Sequence, residues 1–201
     1  VRRMMGKLRR GNQVPKEDWV DFLEQVAYRN SQIITAARFA TKGGYRQQST
    51  EIESDLAVYV ADYILNVSSI WAPQGLKVSV DRGGASFSRT FRPIEIGIVI
   101  DNLVSNARRA RASAVHFSIG IGTRSHRELV IHAADNGRGW NDTLQPLDSV
   151  LDKGVSTTNG SGLGLHHVRQ VIETLGGVVQ PVKDAFSEEF PGAHLILRIP
   201  Q

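Results

Sequence analysis

The chain has 201 residues, 41% hydrophobic and 22% charged, an ordinary globular composition that can bury a core without covalent staples. It holds no cysteine, which excludes disulfides, thiolate zinc sites, iron–sulfur clusters and cysteine nucleophiles. The net charge of +4 is uneven: residues 1–50 carry 10 Lys and Arg against 4 Asp and Glu, and the other 151 carry 14 against 16. A basic chain invites a nucleic-acid reading, but here the excess belongs to the N-terminal segment alone. No apolar run approaches the ~20 residues of a membrane span, and none follows the basic start to make a signal peptide. A cytoplasmic setting is expected.

In chain order, the apolar spacing of Phe22, Leu23, Val26, Ile33, Ala37 and Ala40 predicts a helix over 17–41, opened by Pro15, Glu17 and Asp18. Gly43-Gly44 ends it. A second helix is expected over 49–67, with Thr50-Glu51-Ile52-Glu53 as its start and Leu56, Val60, Tyr63, Ile64 and Val67 along one face. Together they read as a helical hairpin. Strands are expected at 76–80 and 86–91 around the turn Asp81-Arg82-Gly83-Gly84. Pro93 starts a helix to about Arg111, followed by strands at 114–121 and 128–134. Residues 141–159 show no convincing element. A helix over 162–175, the break Gly176-Gly177, and strands at 178–182 and 194–199 complete the pattern. The order predicts an α+β fold, a two-layer sandwich over 71–201 preceded by a helical segment over 1–70.

Three motifs carry chemistry. Asp101-Asn102-Leu103-Val104-Ser105-Asn106 and Arg109 put two amides and a guanidinium near one helical stripe, able to hold a hydrated Mg²⁺ and phosphate oxygens, or simply to form a solvated face. Asp135-Asn136-Gly137-Arg138-Gly139 sets a carboxylate at a strand end before two glycines that admit a flat ligand. It can accept a hydrogen bond from an exocyclic amine such as that of adenine; a tight turn is the plainer alternative. Gly160-Ser161-Gly162-Leu163-Gly164-Leu165 exposes backbone N–H groups at a helix start, which suits phosphate, or serves only as helix entry. It is neither a dinucleotide fingerprint nor a Walker loop.

The order and spacing of all three resemble the gyrase, heat-shock chaperone, histidine kinase and MutL (GHKL) ATPases over about 76–200. That resemblance implies a sandwich holding Mg-ATP beneath a mobile lid. By it, Asp135 contacts adenine while Gly137 and Gly139 admit the base. Asn106 ligates Mg²⁺ with help from Asn102, and Arg109 contacts phosphate. Gly160, Gly162, Leu163 and Gly164 wrap the phosphates, and Lys153 and Thr158 belong to the lid at 141–159.

The hydrolytic branches of the family place a water-activating Glu four residues before the magnesium Asn. This chain has Asn102 there, and an amide is no base at pH 7. Asp101 is rotated ~100° around the helix. The resemblance therefore favours the histidine-kinase branch, with ATP as phosphoryl donor and a response-regulator or histidine-bearing partner. The six histidines are 116, 126, 132, 166, 167 and 194, so no acceptor lies in the N-terminal helices. The acceptor is expected upstream or in another protein. The alternative is a GHKL ATPase that uses ATP as a conformational switch. A homodimer through the helical hairpin is a guess from amphipathicity, and with little aromatic interleaving a nucleic-acid partner is not expected.

Overall fold

A computed structural model describes residues 19, 26, 50–68, 75–123, 127–141, 145–155 and 162–201. The first expected helix, 17–41, lies outside the described residues apart from Trp19 and Val26, both helical. Strand β1 (Ile52–Asp55) leads directly into helix α1 (Leu56–Tyr63), and a π-helical turn, Ile64–Ser68, extends it. Strands β2 (Lys77–Asp81) and β3 (Ser88–Phe91) come next, then helix α2 (Pro93–Arg109). Strands β4 (Ala114–Gly122) and β5 (Glu128–Asp135) are followed by a short 3-10 turn, Leu147–Leu151, helix α3 (Gly164–Thr174), and strands β6 (Val178–Val182) and β7 (His194–Pro200).

The main sheet has the order β2-β4-β5-β7-β6. Only β2 and β4 run parallel; the other neighbours are antiparallel. Alternation decides its two faces. Val115, Phe117, Ile119, Leu129, Ile131, Ala133, Leu195, Leu197 and Ile199 point inward, each at most 6% exposed. They form one core with Val99, Ile100, Leu103 and Ala107 of α2 and Val168, Val171 and Ile172 of α3. Burying one such side chain contributes roughly 1.5–3 kcal/mol, which is what holds the helix layer on the sheet.

Two expectations are corrected. The helix expected over 49–67 begins later. Ile52 pairs with Phe91 and Asp55 with Ser88 in a two-stranded antiparallel ribbon, so the expected helix start is β1. The true N-cap is Asp55, whose Oδ1 accepts from Val58 N at 3.0 Å and from Phe87 N at 3.1 Å. A cap that also bonds a neighbouring loop is not readable from local spacing. Burial works against ionised Asp55, but bonds from Ser86, Val58 and Phe87 outweigh it and hold its carboxyl below the ordinary range. Leu56, Val60, Tyr63 and Ile64 do face the core, which they share with α2 and the sheet.

The strands flanking the Asp81–Gly84 turn do not pair with each other. The turn forms, with Gly83 N donating to Asp81 Oδ1 at 2.9 Å, but β2 pairs with β4 and β3 with β1. The 141–159 stretch, expected to lack elements, contains the 3-10 turn, which buries Val150 and Leu151. No helix among the described residues is long and apolar enough to cross a membrane.

The outer face of the sheet is more polar. His116, His132 and His194 lie there, with the ring of Phe186 within 5.3–5.9 Å of all three. His132 Nδ1 and His194 Nε2 are 3.0 Å apart. Burial pushes both imidazoles below their ordinary pKa.

Candidate functional site

The floor of the site is made where β5 runs out. Its buried apolar run ends in Asp135, which is 6% exposed. Four backbone bonds fix this residue. Its Oδ1 accepts from Gly137 N at 2.8 Å and Ala193 N at 3.2 Å. Its own N–H donates to Ala193 O at 3.0 Å, and its carbonyl accepts from Gly192 N at 2.8 Å. Burial raises the carboxyl pKa, and the two amides on Oδ1 oppose that rise. Oδ2 has no bond to any described residue, and Asp135 lines a pocket. The carboxylate is thus held by one oxygen and offers the other.

Glycine at 192 is a steric requirement. A Cβ there would lie 2.6 Å from Asp135 O and 2.7 Å from Gly137 N. Asn136 turns away from the pocket and stitches the strand end to the start of β4, accepting from Ser113 N at 2.9 Å and Ala114 N at 2.8 Å. Arg138 N donates to Ala110 O at 3.1 Å, tying this loop to the end of α2. The pocket walls are apolar, from Leu103, Val115, Ala133 and Leu195. Trp140 closes one side, its indole N–H anchored on Val182 O at 2.8 Å.

The other end of the pocket lies between α2 and α3. Asn102, Asn106 and Arg109 share one stripe of α2 as the spacing requires. Arg109 Nη1 donates to Asn106 Oδ1 at 3.4 Å. The Oδ1 atoms of Asn102 and Asn106 each lie 3.4 Å from where a Cβ on Gly164 would stand. The two amides therefore converge on the first residue of α3, a helix whose start has no side-chain cap. The Nδ2 atoms of both are buried without a partner among the described residues. Unpaired buried donors are costly, about 1–3 kcal/mol each, and a phosphorylated ligand would satisfy them. The neighbouring Asp101 faces elsewhere, with Tyr63 Oη donating to its Oδ2 at 3.0 Å.

The residues singled out in sequence sort as follows. Asn106, Arg109, Asp135, Gly139, Gly162 and Gly164 line the same pocket. Asn102 and Gly137 stand just behind it. Leu163 is 4% exposed and anchors the α3 start in the interior. Lys153 is exposed in the turn after the 3-10 helix. Its neighbour Gly154 presses on Gly162, where a Cβ would meet the Gly154 carbonyl carbon at 2.5 Å and φ is +72°. Thr158 and Gly160 lie outside the described residues. Gly192, Ala193, Trp140 and Arg138 were not anticipated. The break Pro191-Gly192 before the last strand was the available signal for the first two.

For a metal, the donor set is two amide oxygens at a helix start, with no cluster of three or more His, Asp or Glu among the described residues. Magnesium keeps several waters and is usually held by few protein oxygens plus phosphate oxygens. Asn106 and Asn102 fit an ion that arrives with a polyphosphate rather than one caged by protein.

A mixed sheet with helices on one face, and a carboxylate–glycine pocket between the layers, is an α+β nucleotide-binding sandwich. The chain belongs to the histidine kinase-, DNA gyrase B-, and HSP90-like ATPase family, whose model matches residues 92–201. It is 28% identical over 128 residues to the sensor protein ChvG of Rhizobium meliloti (strain 1021), covering 60% of this chain and 22% of that protein. It is 27% identical over 151 residues to the adaptive-response sensory kinase SasA of Prochlorococcus marinus (strain MIT 9303), covering 73% of this chain and 40% of that one. The chain thus spans less than half the length of either curated relative. Its fold resembles the ATP binding domain of PrrB from Mycobacterium tuberculosis, with a TM-score of 0.55 at 22% identity, over 75% of this chain and 96% of that one.

Proposed function

We propose that this chain binds Mg-ATP and presents the γ-phosphate to a histidine outside its own N-terminal segment, as the catalytic domain of a sensor-histidine-kinase-like protein. The observation that carries the reading is the pairing of two preorganised ends on one pocket. Asp135 offers a free Oδ2 where an exocyclic amine would sit, and Asn102, Asn106 and Arg109 crowd the start of α3 where phosphates would sit. Asp135 reads the base by accepting from its amine. Gly162 and Gly164 admit the phosphates to the helix start, and Arg109 neutralises charge there. Asn106, assisted by Asn102, would hold Mg²⁺, which shields phosphate charge when bound. Positioning and charge neutralisation supply most of the rate in phosphoryl transfer.

Water activation is disfavoured by two observations. The position facing α3 one turn before Asn106 is an amide, and the adjacent carboxylate of Asp101 is engaged by Tyr63. This argues for phosphotransfer over the ATP-hydrolysing switch. Segment 1–70 remains the proposed coupling and dimerisation region, with 56–64 of it packed into the core of the sandwich. A response regulator or a histidine-bearing domain is the proposed partner, in the cytoplasm.

The test is titration with a fluorescent ATP analogue with and without Mg²⁺. Micromolar binding that tightens with Mg²⁺ and is competed by ATP is expected. No binding at millimolar ATP would overturn the reading.

A further inference from the structure

The sequence Gly137-Arg138-Gly139 places a long cation between two glycines, of which Gly139 lines the pocket and Gly137 packs closely against Ala110. Its backbone is immobilised, since the Arg138 N–H is bonded to Ala110 O at 3.1 Å. Its side chain is exposed, lines the pocket, and has no hydrogen bond or ion pair with any described residue. Arg108 and Arg111 are likewise without a side-chain partner among the described residues but do not line the pocket, and the remaining described arginines are engaged. Arg92, Arg169 and Arg198 are in ion pairs, and Arg82, Arg89 and Arg127 donate to backbone carbonyls. Asp135, three residues before Arg138, forms no ion pair with it, and its Oδ1 is held by two backbone amides.

The pocket therefore has a carboxylate floor and an unpaired guanidinium at its mouth on the β5 side. Arg109 provides a second guanidinium on the α2 side. A ligand that complements both ends must carry a hydrogen-bond donor on a flat base and an anion a few ångströms away. We propose that Arg138 is a nucleotide-binding residue that holds the α- or β-phosphate of an adenine nucleotide seated on Asp135. This rests on the ATP-binding reading above. A guanidinium suits the task because it offers several donors in a plane to phosphate oxygens.

The experiment is calorimetric titration of wild type, Arg138→Gln, Arg138→Lys and Asp135→Asn with adenosine, AMP, ADP and ATP. Thermal melts serve as a folding control. Wild type should bind ADP and ATP well above adenosine. Arg138→Gln should weaken ADP and ATP about tenfold and leave adenosine within about twofold, and Arg138→Lys should recover part of the loss. The Arg138→Gln deficit should shrink as ionic strength rises. Unchanged ADP and ATP affinity in Arg138→Gln, beside a weakened Asp135→Asn, would overturn this proposal alone. An equal loss for adenosine would also overturn it, by showing that Arg138 shapes the base pocket instead. Wild type that binds none of the four ligands would overturn the ATP reading and this inference with it.

Discussion

The two ends of the pocket are built on opposite principles. At the floor, Asp135 is enclosed by backbone: Gly137, Gly192 and Ala193 fix it, and only Oδ2 is left open. Between α2 and α3 the polar groups are side chains, and two buried amide donors have no partner among the described residues. On the proposed reading, recognition of the base would be rigid and specified by chain geometry, while the end between α2 and α3 carries hydrogen-bonding capacity that no described residue meets.

The largest expected effect comes from breaking the rigid end. Gly192→Val forces a side chain into Asp135 O and Gly137 N, so the β7 entry must move. Overpacking of this kind costs about 1–3 kcal/mol, and ATP affinity should fall more than a hundredfold. A thermal melt and a titration check both. Asp135→Asn is subtler. Asn retains an oxygen for Gly137 and Ala193 but presents a donor to the ligand amine. Affinity should fall about 10–100-fold. Stability should hold or rise. Burial raises the Asp135 pKa, so the folded state disfavours its charge, and the neutral side chain removes that penalty at pH 7. A melting temperature that drops by several degrees would contradict this account.

At the other end, Asn106→Asp tests the amide logic. A carboxylate binds Mg²⁺ more strongly but repels phosphate. ATP binding should become more dependent on Mg²⁺, with the ratio of affinities with and without the ion rising about fivefold. An unchanged ratio would remove Asn106 from the metal site.

The smallest effect is a pH difference between the ends. His194 follows Ala193 and contacts His132, and both imidazoles are held below their ordinary pKa of 6.5. A depressed histidine favours the neutral form in the fold. Its contribution is fully present above about pH 6.5 and is lost as pH falls below that value, where the unfolded chain takes up the proton first. Arg198 and Glu128, on the same face and 2.7 Å from each other, form an ion pair beyond this pair of rings, and Asp184 O faces His194 Nδ1. Hydrogen exchange at pH 5.5 and 7.5 should show 183–194 loosening at low pH while α2 changes little. His132→Gln should reduce the difference.

What the sequence revealed follows the same division. Local motifs were legible. Asp135 does stand at the end of β5, Asn102 and Asn106 do share a face of α2, and Gly162 and Gly164 do stand at the start of α3, because one strand or one helix is enough to present each. The apolar stripe of α2 and the alternation along 114–121 likewise indicated which face is buried. What depended on remote pairing was not legible. Gly192 and Ala193 meet Asp135 across more than fifty residues only because β7 lies beside β5. Likewise, β1 is a strand because Phe91 lies opposite Ile52, a contact no window around residue 52 contains. Arg138 was passed over because its neighbours look like a turn, and its lack of a partner is a property of the folded surface.

The strand order β2-β4-β5-β7-β6 has a consequence for synthesis. The strand made last among these is inserted between β5 and β6, and the residues just ahead of it supply the clamp on Asp135. A ribosome adds roughly 5–20 residues per second, so this chain passes several seconds with the β7 position empty and the β5 edge unpaired. The nucleotide floor cannot form until residues 192–200 emerge. Nascent chains stalled near residue 185 should be unable to retain ATP, and emergence of residues 192–200 should switch the site on in one step.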